Sequence, residues 1–426
     1  MIMAAEYRTI GGRSRAPGVH FEEVTLAKKS GFHSGVPVFV GFVKGDRGTA
    51  DREWFELTSW DGFEQEIGAG VATGYLDYAV RGFFENGGER CVVMPLPEIA
   101  GGDRRAGVLR ERFEGAAPFE KNTVLEDIEQ VDLVCVPDLM MGEIRKLPNA
   151  LSHVQRQILD YCGRMRERFA ILDAVSLTEG GQYNAKPDQQ ESVGDILEPQ
   201  RQALRASASE NGALYFPWLY VKPLVGDRNG PCVLVPPCGH VAGVYARTDR
   251  AVGIHKAPAN ESIEGVYDLE ARLDDKEQAQ LNDVGINCLR SFPGRGIRVW
   301  GARTLSAKPN WQYVNVRRLF LTVTRWIEDN FNDLVFEPHN ASLWERVRTR
   351  LGTYCYELME QGALQGRTPA EAFFVKCDAE TNSSEARAAG QLVVELGLAP
   401  VLPAEFVVVR ITQTAAGTTV AIPSGT

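Results

Sequence analysis

Between positions 36 and 175, short apolar strands alternate with amphipathic helical patterns. That alternation restricts the chain to a layered α/β architecture with some parallel strand pairing. The apolar run Val36–Val43 is far too short to cross a membrane and is broken by Pro37 and Gly41, and Val36–Phe42 reads as a buried strand. Leu76, Val80, Phe83 and Phe84 follow at helical spacing, and Asn86-Gly87-Gly88 stops that helix as a C-cap. Arg90–Met94 is the next strand. Residues 100–122 are charged and glycine-rich and read as a surface connection. Val131–Val136 is a buried strand, Val154, Ile158, Tyr161 and Met165 mark a helix, and Phe169–Val175 is the strand after it. Residues 176–198 read as a long exposed loop, Ala213–Val221 as a strand, and 235–249 as a turn leading into a helix.

The last third changes character. Ile297–Leu305 reads as a strand. Val316, Leu319, Phe320, Val323, Ile327 and Phe331 mark one long helix; Leu343, Val347, Leu351, Tyr354 and Leu358 mark a second. The second opens on the capping-box pattern Ser342 to Glu345, with Asn340 as the alternative cap. Thr368 and Pro369 open a short third helix. The end is nearly all strand, over 373–378, 392–398 and 405–412, and it carries no chemistry. Such an end can pair with other copies, because main-chain hydrogen bonds supply affinity and alternate side chains supply register. At the other terminus residues 1–30 are polar, glycine-rich and basic. Only Val19–Val24 has strand character there, so the segment reads as an extended arm.

Composition excludes several classes of function. The chain has 426 residues, 44% apolar and 24% charged, enough for two or three domains. A net charge of −10 argues against a nucleic-acid groove. Met1–Arg8 lacks the basic and apolar regions of a signal peptide, so a soluble cytosolic product is expected. The eight cysteines mostly sit in apolar runs, as in Val134-Cys135-Val136, and read as reduced, buried thiols.

Catalytic signatures are sparse. There is no phosphate loop, no His-Glu-x-x-His and no Gly-x-Ser-x-Gly. Gly294-Arg295-Gly296 begins a dinucleotide-like pattern but lacks the third glycine. Cys232, Cys238 and His240 lie close together, but a zinc site wants a fourth ligand, and a nucleophile wants its base in contact. The favoured reading makes Cys238 a turn residue and His240 a helix-start residue. Asp138 and Asp173 follow strand ends, where α/β enzymes place functional carboxylates. With no phosphate loop to serve, capping a helix or closing a turn is the favoured role for both. A cytosolic α/β enzyme using Cys238 and His240, with Asp138 or Asp173, stands as the alternative from another class. Asp329, Asp333 and Glu337 lie between the late helices, with Arg346, Arg348 and Arg350 on the second. They read as solvated faces or as a charged face that docks on another protein.

Several motifs, in order along nearly the whole length, resemble the sheath proteins of contractile phage tails and related bacterial injection systems. They are Ala16-Pro-Gly-Val-His-Phe-Glu-Glu-Val24, Leu57-Thr-Ser-Trp-Asp-Gly-Phe63, Ala79 through Gly88, Pro236 through Asp249, Lys256-Ala-Pro-Ala-Asn260, Gly296–Leu305, Trp344 with its helix, Gly362-Ala-Leu-Gln-Gly366 and the strand end. Cys238 departs from the family, which often has serine there. Residues 413–426 run past the family's usual end, and the chain lacks the large outer insertions of some phage sheaths.

The resemblance implies an extended arm over 1–30, an outer α/β domain over 31–290 and a tube-proximal domain over 291–403. A C-terminal arm strand and tail would occupy 404–426. The tube-proximal domain would hold long helices and a small sheet completed by strands exchanged between subunits. Strand exchange would use Val19, Phe21, Val24, Phe373, Val375, Val393, Phe406, Val408 and Arg410. The implied function is a non-enzymatic sheath subunit, stacked as six-membered rings around an inner tube and contracting to drive it through an envelope. Glu328, Asp329, Asp333, Glu337, Arg346 and Arg348 are the candidate tube contacts. Expected partners are other copies, the inner tube, baseplate and terminal cap proteins, and sister sheath proteins. No cofactor, metal, nucleic-acid contact or membrane insertion is implied. Assembly in the cytoplasm into a phage tail or injection particle follows, with extracellular release left open. A non-contractile shell component with the same strand exchange is the second alternative.

Overall fold

β1 (Pro37–Val43) is buried at every position, so it has to lie mid-sheet with both faces covered. The computed structural model describes residues 34–45, 52–114, 124–147, 149–179, 182–183, 192–205, 208–224, 230–405, 410–414 and 417–421. After β1 come β2 (Phe55–Leu57), α1 (Trp60–Glu66), α2 (Leu76–Glu85), β3 (Cys91–Pro97) and α3 (Gly102–Phe113). Next are β4 (Leu133–Cys135), α4 (Gly142–Arg145), α5 (Ala150–Met165) and β5 (Phe169–Asp173). A small hairpin of β6 (Thr178–Glu179) and β7 (Gln182–Tyr183) precedes α6 (Val193–Leu204) and β8 (Gly212–Phe216). Then follow β9 (Leu219–Val221), β10 (Val233–Val235), α7 (Cys238–Ala251), β11 (Glu261–Ser262), β12 (Val266–Leu269) and α8 (Asp275–Asp283). β13 (Ile286–Phe292) and β14 (Gly296–Val299) close this part as a hairpin, and Gly294-Arg295-Gly296 is its turn.

The strands form a nine-stranded sheet in the order β11-β14-β13-β8-β5-β4-β1-β3-β2, parallel from β13 through β3. Alternate side chains of β1 enter opposite layers. Val38 and Val40 pack with α3, α5, α6 and α8, and Phe39 packs with α1, α2 and α7. This is the α/β layering that the alternation predicts. A second antiparallel sheet has the order β10-β9-β12.

Several elements differ from expectation. The expected surface connection over 100–122 contains α3, whose Leu109 and Phe113 are fully buried. The expected loop over 176–198 is cut short at its end, where α6 begins at Val193, opened by a capping box between Ser192 and Asp195. The strand expected over 213–221 divides into β8 and β9 around Pro217, which has no N–H for a ladder. The strand expected over 297–305 stops at Val299.

The late helices are α9 (Val314–Phe331), α10 (Ala341–Glu360) and α11 (Pro369–Ala372). Trp326 of α9 stacks on Tyr354 of α10 with centroids 3.9 Å apart. Asn340 caps α10, accepting from the N–H groups of Ser342 and Leu343 at 3.0 and 3.1 Å. β15 (Phe373–Lys376), α12 (Ser384–Ala388) and β16 (Glu395–Leu398) follow. Finally β17 (Arg410–Thr414) pairs back on β18 (Gly417–Ala421). The tail that the sequence leaves unassigned thus contains a strand. Among the described residues, no helix is long and apolar enough to cross a membrane.

Candidate assembly surface

Open α/β sheets bind ligands where strand order reverses, beyond the carboxyl ends of the strands. Here that crevice lies beside β1 and β4, and the chain's own Asp138 fills it. Its buried carboxylate accepts from the N–H groups of Phe42 at 2.6 Å, Tyr75 at 2.5 Å and Leu76 at 3.0 Å. Tyr75 and Leu76 open α2, so Asp138 caps a helix that precedes it in the chain. Burial pushes its pKa up to about 6. Asp173 accepts from the Cys238 N–H at 2.8 Å, at the start of α7, and burial pushes its pKa up to about 7.

The same geometry disarms the Cys238 and His240 pair. Both side chains are buried. Burial pushes the Cys238 thiol well up and, with Arg81 adding to it, holds His240 down at about 4. A neutral thiol lacks the thiolate that nucleophilic chemistry needs, and side chains two apart on α7 do not face each other. The His240 ring instead fills the space over Gly82, where an added Cβ would come within 2.4 Å of it. Among the described residues no group of His, Cys, Asp and Glu is placed to hold a metal ion.

A buried ionic joint ties α9 to the large sheet. Arg318 donates to Asp249 at 2.6 and 3.0 Å and to Asp132 at 3.1 Å. Asp132 also accepts from the N–H groups of Gly35 and Val36, at 3.0 and 2.6 Å, just before β1. About two turns farther along α9, Arg325 donates to the Val131 carbonyl and pairs with Glu167 at 3.0 Å. Farther on, Arg303 forms a two-pronged contact with Glu405, at 2.5 and 3.0 Å.

The small sheet of β15 and β16 is two-stranded, with no third strand among the described residues. Ala399 donates to the Ala372 carbonyl at 2.9 Å, which fixes the alternation of the ladder. The pairs Phe374/Gly397 and Lys376/Glu395 therefore exchange hydrogen bonds. The Phe373 carbonyl and the main-chain groups of Val375 face the outer side of β15, where the Phe373 N–H is taken up by the Pro369 carbonyl at the end of α11, and the main-chain groups of Leu396 and Leu398 face the outer side of β16. The side chains of Phe373 and Val375 pack inward on the helices, while Phe374 is exposed. Phe374 lies over Gly397, where a Cβ would come within 2.0 Å of its ring.

Val393 precedes β16, and its N–H and carbonyl bond the buried Asn382 side chain at 2.8 and 3.0 Å. Arg410 opens β17, opposite Ala421. Val19, Phe21, Val24, Phe406 and Val408 lie outside the described residues. The charged stretch is largely self-paired. Asp333 bonds Arg350 at 2.7 and 3.0 Å, Glu337 pairs with Arg346 at 2.8 Å, and Glu345 pairs with Arg348. Hydrogen bonds from Arg350 hold Asp333 below the usual carboxylate range. Glu328 and Asp329 are exposed at the end of α9.

Residues 128–305 match the central domain of phage tail sheath proteins, and residues 306–414 match their C-terminal domain. The chain belongs to the tail sheath protein family. It is 26% identical to the tail sheath protein of Salmonella phage ViI over 270 residues, 61% of this chain and 41% of that one. It is 27% identical to the tail sheath protein of Escherichia phage P2 over 174 residues, 39% of this chain and 42% of that one. The sheath chain thus matches less than half the length of these relatives. Among solved structures, it is similar to the sheath complex of the PVC extracellular contractile injection system in the contracted state. That match has a TM-score of 0.70 at 29% identity and covers 95% of this chain and 99% of the other. The helical sheath of the anti-feeding prophage in the contracted state matches with a TM-score of 0.69 at 28% identity, over 94% and 100% of the two chains.

The Arg318 joint is the feature that sequence reading missed. Arg318 lies on a helix rich in polar residues, and its partner Asp249 is 69 residues away. The weak signal was its position on the same helical face as Val314, Leu321 and Arg325, all of them buried.

Proposed function

We propose that this sheath protein polymerises as stacked six-membered rings around an inner tube and contracts to drive that tube through a target envelope. The observation that carries the reading is the unfinished sheet of β15 and β16, with main-chain groups directed outward on both sides. An arm strand near 17–24 from one neighbour and a strand near 405–412 from another would complete it. Each added ladder bond contributes about 1 kcal/mol net. Links of this kind persist while the packed bodies rotate, because the arms lie outside the cores. Val375 and the carbonyl of Phe373 present the β15 side of the joint, and Arg410 belongs to the donated segment.

The anti-feeding prophage and PVC sheaths were each captured in a contracted state, and the anti-feeding prophage baseplate was symmetrised six-fold. These neighbours support the contractile reading and the baseplate as a partner. Contraction is then a change between two packings of the assembled bodies, with no chemical step in this chain. The proposed division of labour is an outer domain over 31–290 and a tube-proximal domain over 291–403, with the arms at 1–30 and 404–426, although β13 and β14 carry the large sheet past that limit to Val299. The stretch from Glu328 to Arg350 is the proposed tube-facing surface. Assembly in the cytoplasm into a releasable particle completes the reading.

Deletion of residues 1–24 tests it. The truncated chain should fold, with an unchanged circular dichroism spectrum, and form no cylinders in negative stain. Cylinders of normal length from the truncated chain would sink the arm-exchange mechanism.

A further inference from the structure

The chain enters and leaves its packed body at places far apart in sequence, and α9 holds both. The arm proposed over 1–30 joins the body at Ser34-Gly35-Val36. The N–H groups of Gly35 and Val36 bond the Asp132 carboxylate, and Arg318 donates to that same carboxylate from α9 at 3.1 Å. Gly35 has a left-handed backbone, φ +79°, and an added Cβ would come within 2.6 Å of the Ala246 Cα on α7. The entry point is thus fixed by charge, by backbone conformation and by close packing.

At the other end the chain runs on from β16 to Glu405. Main-chain bonds tie Ala399 to Ala372 and Val401 to Ala363. The buried Asn315 side chain, three residues before Arg318 on α9, donates to the Val401 carbonyl at 3.1 Å. The same amide donates to the His255 carbonyl, just past α7, at 2.8 Å. Arg303 then holds Glu405, where the segment proposed for donation begins. None of these bonds belongs to the β15–β16 ladder. Asn315 and Arg318 are separated by about 4.5 Å of helix rise, and their spacing puts them on one face.

We infer that the start of α9 is a common anchor for both arms, with Asn315 and Arg318 as the positioning residues that hold the two roots in a fixed relation. Resting on the reading of 1–30 and 404–426 as linking arms, this names the element that bears their pull. Tension on the N-terminal arm reaches α9 through Asp132 and Arg318, and tension on the C-terminal arm reaches it through Val401 and Asn315. Load therefore passes from one arm to the other within a single helical turn, without crossing the strands of the large sheet. The packed bodies can change their contacts during contraction while the spacing of the two roots is kept. Roots that shifted independently would carry the donated strands out of register.

The test is residue-resolved hydrogen exchange on the full-length, unassembled chain. Gly35→Ala disturbs the first root and Glu405→Ala the second, and neither alters α9. Coupling between two sites is reciprocal. Gly35→Ala should therefore speed exchange at the Val401 amide at least threefold, and Glu405→Ala should do the same at Val36. Both changes are measured relative to the amides of β5, which lie mid-sheet and report overall stability. In an Asn315→Leu background the effect of Gly35→Ala on Val401 should vanish. Should Asn315→Leu not fold, the two reciprocal measurements decide alone. Exchange at each root that follows β5 and ignores the other root would overturn the anchor, as would coupling that survives Asn315→Leu undiminished. Negative stain of the same samples separates the two readings. Wild-type cylinders without root coupling would overturn the anchor alone, and root coupling in a chain that forms no cylinders under any condition would overturn the linking-arm reading.

Discussion

Replacing Arg318 with methionine should be among the most damaging single changes in this protein. The guanidinium is 2% exposed and neutralises Asp249 and Asp132, both buried. Methionine fills much of the same volume but leaves two carboxylates without their cation. Breaking a buried pair from one side costs about 3–5 kcal/mol. Unfolding a chain of 426 residues carries an entropy of roughly 0.9 kcal/mol/K, at about 2.1 cal/mol/K per residue. The melting temperature should therefore fall by about 3–6 °C at pH 7.5. The sign of the pH effect follows from Asp249. Burial raises its pKa above the ordinary carboxylate value, and Arg318 opposes that rise. Without Arg318 the pKa goes higher still, so acidification neutralises the orphaned carboxyl and returns part of the loss. Differential scanning fluorimetry of the unassembled chain at pH 7.5 and pH 5 should show a smaller deficit at pH 5. Adding Asp249→Leu to Arg318→Met should recover part of the stability. A drop below 1 °C, or a deficit that does not shrink with acid, would refute the assignment of Arg318 as a charge-neutralising joint.

Other positions give further outcomes. His240 is buried neutral, with its pKa lowered from 6.5 to about 4, so the unfolded chain takes up a proton first as pH falls. Stability should fall between pH 6.5 and 4 by about 3 kcal/mol from this group, and His240→Gln should flatten that part of a pH-dependent urea-midpoint series. Gly239→Ala would bring a Cβ to 2.2 Å from the Ala79 carbonyl oxygen, where α7 crosses α2. It should destabilise the chain by about 1–3 kcal/mol in chemical denaturation. Asp138→Asn puts amide hydrogens among three backbone donors, and at pH 7.5 it should cost about 1–3 kcal/mol by the same assay.

Much of the fold is legible in the sequence because its elements are periodic and apolar. β1, β3, α5, α9 and α10 declare themselves that way. α3 does not, because Arg104, Arg105, Arg110 and Arg112 dilute a buried stripe resting on Ala106, Leu109 and Phe113. α6 carries Pro199 inside it and follows a polar stretch, so its helical face is obscured. The division of β8 from β9 was signalled by Pro217 within an apolar run. The site divides in the same way. The edge strands at 373–376 and 395–398 can be read from local pattern. The roles of Asp132, Asp138, Asp173, Asn315 and Arg318 depend on partners that only the folded chain defines. An aspartate after a strand gives no sign of which distant helix it will cap.

Cryo-electron microscopy of the assembled wild-type chain tests the sheath account most directly, at a resolution that traces the sheet around β15 and β16. The account predicts a cylinder in which each β15–β16 pair is flanked by strands from two neighbouring copies, one near 17–24 and one near 405–412. A cylinder whose β15–β16 pairs remain two-stranded, with both arms folded back on their own subunit, would contradict it.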